Sequence, residues 1–197
     1  MPNAAFTSLV DDVYTVTNRS DLVAETSMAV RAATLKLHHS DFYPRDLKES
    51  RVQFDTANNF QALAYRTLFP NFRALSYIRK YESGEPTQLL EVISPTDIFD
   101  SYNVAKENVC YLAGEVIQIR SYTAISEILI GYYDNPITSP DNYASWIADI
   151  HRDAIISEAS ASVFRMIGAY EQAQMYDRMA REQMILVRNS NIQAQGY

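Results

Sequence analysis

Apolar side chains in the last third of the chain recur with the period of an α-helix. Between residues 140 and 188 they are spaced by three, four or seven positions in two stretches separated by Gly168. This spacing puts them on one face of each helix. The sequence therefore predicts two consecutive amphipathic helices, with Ile147, Ile150 and Phe164 in the core of the first and Tyr176 in the core of the second.

Two shorter helices are predicted near the start of the chain. Apolar residues in 6–17 recur at helical spacing. A second helix is predicted over 21–38, with Ser20 as its N-cap and with Leu22, Val30 and Leu37 on its buried face. Pro44 prevents this helix from continuing.

The middle of the chain has the period of β-strands. Short runs rich in aromatic and β-branched residues alternate with turn residues. A short helix is predicted from Ser94-Pro95 to about Tyr102. The predicted strands are 51–56, 60–66, 74–81, 89–93, 108–112, 115–122 and 126–133.

This order of elements predicts an α+β fold in which N-terminal and C-terminal helices form one helical bundle. The bundle is expected to comprise residues 1–50 and 135–188, and an antiparallel β-rich insertion is expected over 51–134. Residues 189–197 are predicted to be an extended C-terminal tail, because Asn189 and Asn191 favour the end of a helix and the segment is polar.

Composition and charge exclude some functions. The 197 residues carry a net charge of −7, which does not suit a protein that grips the phosphate backbone of nucleic acid. No apolar run has the length of a membrane helix, and no signal peptide is recognisable. The single cysteine, Cys110, lies in an apolar strand-like run and is predicted to be buried.

Residues able to do chemistry are sparse and scattered. The five glycines form no phosphate loop. His38 and His39 are adjacent, so on a helix they face different directions and do not readily hold one metal. His151 has no recognisable nucleophile and no orienting partner. The pairs Asp11-Asp12 and Asp97/Asp100 fit structural positions, so the sequence predicts no catalytic residue, no metal site and no cofactor.

Residues 154–184, AIISEASASVFRMIGAYEQAQMYDRMAREQM, resemble a known family. A helix of small residues with an aromatic, here Phe164, is followed by a turn at Gly168 and a charged helix with Tyr176 and Met179. Residues 93–102, ISPTDIFDSY, resemble the segment before the last hairpins of that family. It is the head-to-tail adaptor, or connector, family of short-tailed bacteriophages.

The resemblance implies a non-enzymatic virion protein at the head–tail junction, made in the cytoplasm of the host bacterium. Copies would form a ring, usually dodecameric, below the portal protein, and genomic DNA would pass through without specific binding. The β region would face tail nozzle or tail fibre proteins, and no membrane would be involved. The C-terminal segment would dock on the portal, through Asn189, Asn191, Ile192, Gln195 and Tyr197.

Two alternatives remain open at this level. One is a different neck or tail ring protein, such as a tail terminator, which usually has a β-dominated core. The other is a small enzyme or ligand-binding domain, which would require a pocket with convergent polar groups. Met175, Met179 and Met184 in the last helix suit either an adaptable binding face or a helical core.

Overall fold

A computed structural model describes residues 3–82, 84–99 and 102–194, the last four of these by their backbone alone. The chain divides into two units, each with its own hydrophobic core. The helical unit comprises the chain up to Asp46 and from Asn135 onward. The barrel unit comprises Leu47–Asp134.

The described residues contain six α-helices, of which all but α3 belong to the helical unit. Short 3-10 turns lie at Pro44–Asp46, Pro95–Asp97 and Pro140–Asn142. The helices are α1 (Ala4–Thr17), α2 (Val23–His38), α3 (Tyr65–Leu68), α4 (Trp146–Ile150), α5 (Arg152–Met166) and α6 (Tyr170–Ala194).

Capping side chains and residues with left-handed backbone mark the ends of several helices. Asn3 caps α1, since its side-chain oxygen accepts from the Ala5 amide at 2.8 Å. The left-handed backbone of Asn18 ends α1, and that of Gly168, at φ +77°, turns the chain between α5 and α6. Ser145 caps α4 by accepting from the amide of Ala148.

The single helix predicted before Gly168 is in fact interrupted. A break at His151, with φ −126° and ψ 49°, separates α4 from α5. Helix α4 therefore ends at Ile150, whose side chain is 51% exposed and does not belong to the core. Ile147 precedes the break and is completely buried.

The other predicted core residues of the helical unit lie inside it to different degrees. Val30 and Leu37 are completely buried on α2, and Phe164 is nearly so on α5. Leu22 is partly buried against the core. Tyr176 is half-buried and stacks on Phe164 with ring centroids 5.4 Å apart.

Helix α5 is the centre of the helical unit. Buried residues occur on most of its circumference, and α1, α2 and α6 all pack against it. Many of its buried residues are small, which allows the neighbouring helices to approach closely. They include Ala154, Ser157, Ala159, Ser160 and Ala161.

The barrel unit is built on one long strand. The strands are β1 (Leu47–Leu63), β2 (Phe72–Glu82), β3 (Glu85–Val92), β4 (Val109–Ala113) and β5 (Val116–Asp134). The C-terminal half of β5 pairs with β2 and its N-terminal half pairs with β4. Because β3 pairs with both β2 and β4, these four strands form a closed barrel, while β1 pairs along β5.

The barrel interior is filled mainly by isoleucines from β5. Ile117, Ile119 and Ile125 occupy alternate positions of the first half, and Ile128 and Ile130 those of the second. The alternation of buried positions shifts by one residue between Ile125 and Ile128, next to the bulge in the pairing of β5 with β1. The extra residues at this bulge lie on β1, between Gln53 and Asn58.

Two further buried groups belong to the barrel. Cys110 is completely buried on β4, and this burial raises the pKa of its thiol to about 12. Lys80 is 2% exposed and keeps its ammonium group in contact with polar atoms, donating to Ser121 Oγ at 3.3 Å and pairing with Glu82 at 2.7 Å. A buried ammonium requires partners of this kind.

The predicted architecture, a helical bundle carrying an antiparallel β-rich insertion, is wrong. The β region closes into a barrel with its own core, and its pairing of β3 with β4 is parallel. The strands predicted over 115–122 and 126–133 are one continuous strand of 19 residues. Periodicity locates strands but does not reveal their partners, so it could not show that one strand pairs with three others.

The C-terminal segment also differs from the prediction. Helix α6 continues to Ala194, so residues 189–194 are helical and not extended. The low helix propensity of Asn189 and Asn191 is a weak effect, which an already formed helix overcomes at little cost. Residues 195–197 lie outside the described part of the chain.

Adjacent leucines on β3 provide a matched test of the barrel core. Leu90 is 1% exposed and Leu89 is 56% exposed. We expect Leu90→Ala to lower the free energy of unfolding by about 3 kcal/mol, because it leaves a cavity. Leu89→Ala should change it by less than about 0.5 kcal/mol. Urea denaturation of the two variants measures this difference, and equal effects would contradict the described interior.

Candidate functional site

Three side chains of the helical unit form a buried hydrogen-bonded series. His38 at the end of α2 has its Nδ1 2.9 Å from Oδ1 of Asp46 and 3.1 Å from Oδ2. Its Nε2 lies 2.9 Å from Oγ of Ser145. A carboxylate only accepts hydrogen bonds, so Nδ1 of His38 donates to Asp46, and Nε2 is the ring atom that meets the Ser145 hydroxyl.

Trp146 completes this series from the start of α4. Its indole Nε1 donates to Oδ1 of Asp46 at 2.8 Å, so one carboxylate serves both rings. The indole also meets Tyr43 edge-on, with centroids 5.2 Å apart, and lies under the guanidinium of Arg45. The Asp46 network, defined as His38, Asp46, Ser145 and Trp146, thus joins the end of α2 to the start of α4.

The order serine, histidine and aspartate is the one used for nucleophilic catalysis. In this chain, however, all three side chains are buried. Oγ of Ser145 also accepts from the Ala148 amide at 3.3 Å as the cap of α4. A substrate carbonyl needs open space beside the nucleophile and donors for the oxyanion. The geometry therefore favours a network that holds helices together.

The sequence does not predict this network. His38 is adjacent to His39 in the chain, but its partners come from positions 46 and 145. His39 instead bonds to the side chain of Asn135. Only the position of Ser145 has a local signal in the sequence. It directly precedes the apolar pair at the start of a helix, which is the position of an N-cap.

Helix α6 presents an apolar surface to solvent. Its buried positions are Ala173, Ala180 and Val187, spaced by seven residues. The opposite side carries Met175 and Met179, which are both substantially exposed, whereas Met184 packs against the core. An exposed apolar stripe on a helix is typical of a surface that binds another protein.

The end of α6 is fixed to the beginning of α5. Nε2 of His151 lies 3.0 Å from Oγ of Ser190. Burial, and secondarily the charge of Arg45, lowers the pKa of His151 from its ordinary value of 6.5. An unfolded chain therefore takes up this proton first, so His151 favours folding less as the pH falls from 6.5 towards the lower pKa of the folded state.

The proposed docking residues are only partly described. Asn189 is exposed near the end of α6. Asn191 and Ile192 lie on the same helix, where the backbone alone is described. Gln195 and Tyr197 lie outside the described residues, so the structure does not bring these five side chains together in one site.

Two other kinds of site are absent from the described residues. In that part of the chain, no group of three or more His, Cys, Asp or Glu side chains could hold a metal ion. None of the helices described is both long and apolar enough to cross a membrane.

No family model matches the chain, and no curated protein is significantly similar to it.

Removing the shared carboxylate tests the Asp46 network. We expect Asp46→Ala to lower the free energy of unfolding by about 3 kcal/mol, because it leaves a buried N–H donor on His38 and a partly buried one on Trp146 without this acceptor. Asp11→Ala, at an exposed position of α1, is the control and should change it by less than about 0.5 kcal/mol. Thermal or urea unfolding followed by Trp146 fluorescence measures both, and a neutral Asp46→Ala would refute the network's structural role.

Proposed function

We propose that this chain is a structural subunit of a tailed bacteriophage: a head-to-tail adaptor that forms a ring between portal and tail. The observation that carries the proposal is the exposed apolar stripe of α6, on the last helix of the described chain. A stripe of this kind costs solubility unless another protein covers it. The proposal assigns that surface to assembly and places the protein at the head–tail junction of the virion.

The helical hairpin of α5 and α6 supports the same proposal. It has the features on which the family resemblance rests: a helix of small residues, a turn at Gly168 and a charged helix. The stack of Phe164 on Tyr176 and the ion pair of Arg165 with Asp177, at 2.6 Å, hold the two helices together near the turn. The portal as partner comes from the resemblance.

The remaining roles follow from the same proposal. A net charge of −7 suits a ring whose bore repels the DNA that passes through it. The barrel unit would face tail nozzle or tail fibre proteins, and it exposes apolar side chains such as Phe60, Val92 and Tyr122. The protein would be made in the bacterial cytoplasm, and copies would join around the portal as a ring, usually of twelve.

Truncation of the C-terminal segment tests the portal-docking role. A chain ending at Ser190 keeps the bond to His151 but lacks residues 191–197. We expect its thermal midpoint to shift by less than about 2 °C, while its capture by the portal ring of the phage that encodes it falls to background. A short segment that becomes ordered on docking binds weakly per copy, but the binding energies of many copies in a ring add up.

The full-length variant Ile192→Ser/Tyr197→Ser is the control for chain length. It should lose capture as well, because it lacks the two apolar anchors. Normal occupancy of the portal by the truncated chain, measured by co-sedimentation, would rule out docking through this segment.

A serine hydrolase is the second candidate, because Ser145, His38 and Asp46 are bonded in the catalytic order. The proposed structural role predicts no reaction of Ser145 with a fluorophosphonate probe in the folded protein. Mass spectrometry of the treated chain decides between the two. A phosphonylated Ser145 that disappears in His38→Gln would support the hydrolase and contradict the structural assignment.

A further inference from the structure

Helix α2 carries an outward stripe that lies away from the core. Ala24, Met28, Arg31 and Leu35 follow one another at steps of four, three and four residues, which keeps them on one side of a helix. Met28 is 57% exposed, Ala24 and Arg31 are exposed, and Leu35 is half-buried. The α2 stripe, as defined by these four residues, is thus apolar with one positive charge.

Helix α6 carries a stripe with the same spacing and the opposite charge. Met175, Met179, Glu182 and Leu186 also follow at steps of four, three and four residues. Met179 is 42% exposed, and the other three are exposed as well. In this α6 stripe Glu182 has the third place, the place that Arg31 has in the α2 stripe.

Both charges are available for a partner. In the described part of the chain, neither Arg31 nor Glu182 forms an ion pair, whereas neighbouring charges such as Arg165 and Asp177 do. An apolar stripe with one central charge is best covered by an apolar stripe that has the opposite charge at the same level.

The two helices run in the same direction. Arg188, near the end of α6, donates to the carbonyl of Ser40, just after the end of α2, at 2.7 Å. Ser190, near the end of α6, bonds to His151 at the beginning of α5, and His38, at the end of α2, bonds to Ser145 at the beginning of the neighbouring α4. The ends of α2 and α6 therefore lie at the same end of the unit, and α5 runs opposite to both.

The two helices also pack on different sides of α5. Glu158 of α5 pairs with Lys36 of α2 at 2.6 Å, and Phe164 stacks on Tyr176 of α6. These residues of α5 are six positions apart, which is about 120° around a helix axis. Each stripe faces away from α5, so the two stripes of one copy cannot cover each other.

We propose that the occupant of the α6 stripe is the α2 stripe of a second copy of this chain. In a parallel alignment, Met28 meets Met179, Arg31 meets Glu182 and Leu35 meets Leu186. A contact between two different faces is heterologous, so each copy contacts one neighbour through α2 and the other neighbour through α6. Repetition of this contact gives a closed ring or an open chain. The Arg31–Glu182 pair also supplies attraction between copies that each carry a charge of −7. This inference rests on the proposed ring function and specifies the faces that build the ring.

Disulfide trapping tests the pairing of the two stripes. The variant Met28→Cys/Met179→Cys, oxidised at high concentration, should give a ladder of linked dimers, trimers and larger species, because each copy has one cysteine on each face. Each single variant should give dimers at most. The native Cys110 is buried and its raised pKa keeps it protonated, so it should not take part.

The matched control is Met28→Cys/Gln174→Cys. Gln174 is exposed on α6 but lies about 100° away from Met175. A ladder that is equally strong for this control would overturn the proposed pairing, and so would no ladder from the test variant.

Charge reversal provides an independent readout. Arg31→Glu places a second negative charge opposite Glu182. It should lower the yield of trapped species about fivefold, the effect of roughly 1 kcal/mol. Glu182→Arg alone should do the same, and the two reversals together should restore the yield. Failure of the double reversal to restore it would overturn the assigned pair.

Amine cross-linking of the wild-type chain, with and without portal, separates this inference from the proposed function. Rings without the Met28–Met179 ladder would refute the assigned faces and leave the ring function in place. No oligomer under either condition would refute both.

Discussion

The helical unit depends on the burial of α5 on nearly every side. This burial is sterically possible because many of the buried side chains of α5 are alanine or serine, so three helices can approach its axis. As a consequence, α2 and α6 each pack one face against α5 and have another face that points outward. The surfaces proposed for assembly are therefore a consequence of the core and of its small residues.

The Asp46 network fixes the ends of these helices. Asp46 holds His38 at the end of α2 and Trp146 at the start of α4, while Ser145 joins His38 and caps α4. A separate hydrogen bond, between His151 and Ser190, holds the end of α6 to the beginning of α5. Polar groups buried in this manner stabilise one arrangement of helices, because any other arrangement would leave them unsatisfied. The orientation of the outward stripes is set in part by these bonds.

The sequence predicted much of the local structure and little of the pairing. The turn at Gly168 and the buried face of α2, with Val30 and Leu37, follow from helical period and from the glycine. The predicted N-cap Ser20 was wrong, because α2 begins at Val23 and its N-cap, Leu22, makes no side-chain cap bond. The parallel pairing of β3 with β4 and the closure by β5 depend on contacts between distant residues, which no local pattern contains. The same holds for the site: His38, Asp46 and Ser145 meet only after folding. The prediction for Ile150 was wrong because periodicity assumes an uninterrupted helix, whereas α4 ends at Ile150.

We propose that copies of this chain assemble through α2 and α6 into a ring on a portal. Electron cryo-microscopy of the purified portal ring incubated with this protein tests it most directly. We expect a closed ring of copies on the portal, with α6 of each copy packed along α2 of its neighbour. Particles without added density, or a ring in which both the α2 and the α6 stripes face solvent, would contradict it.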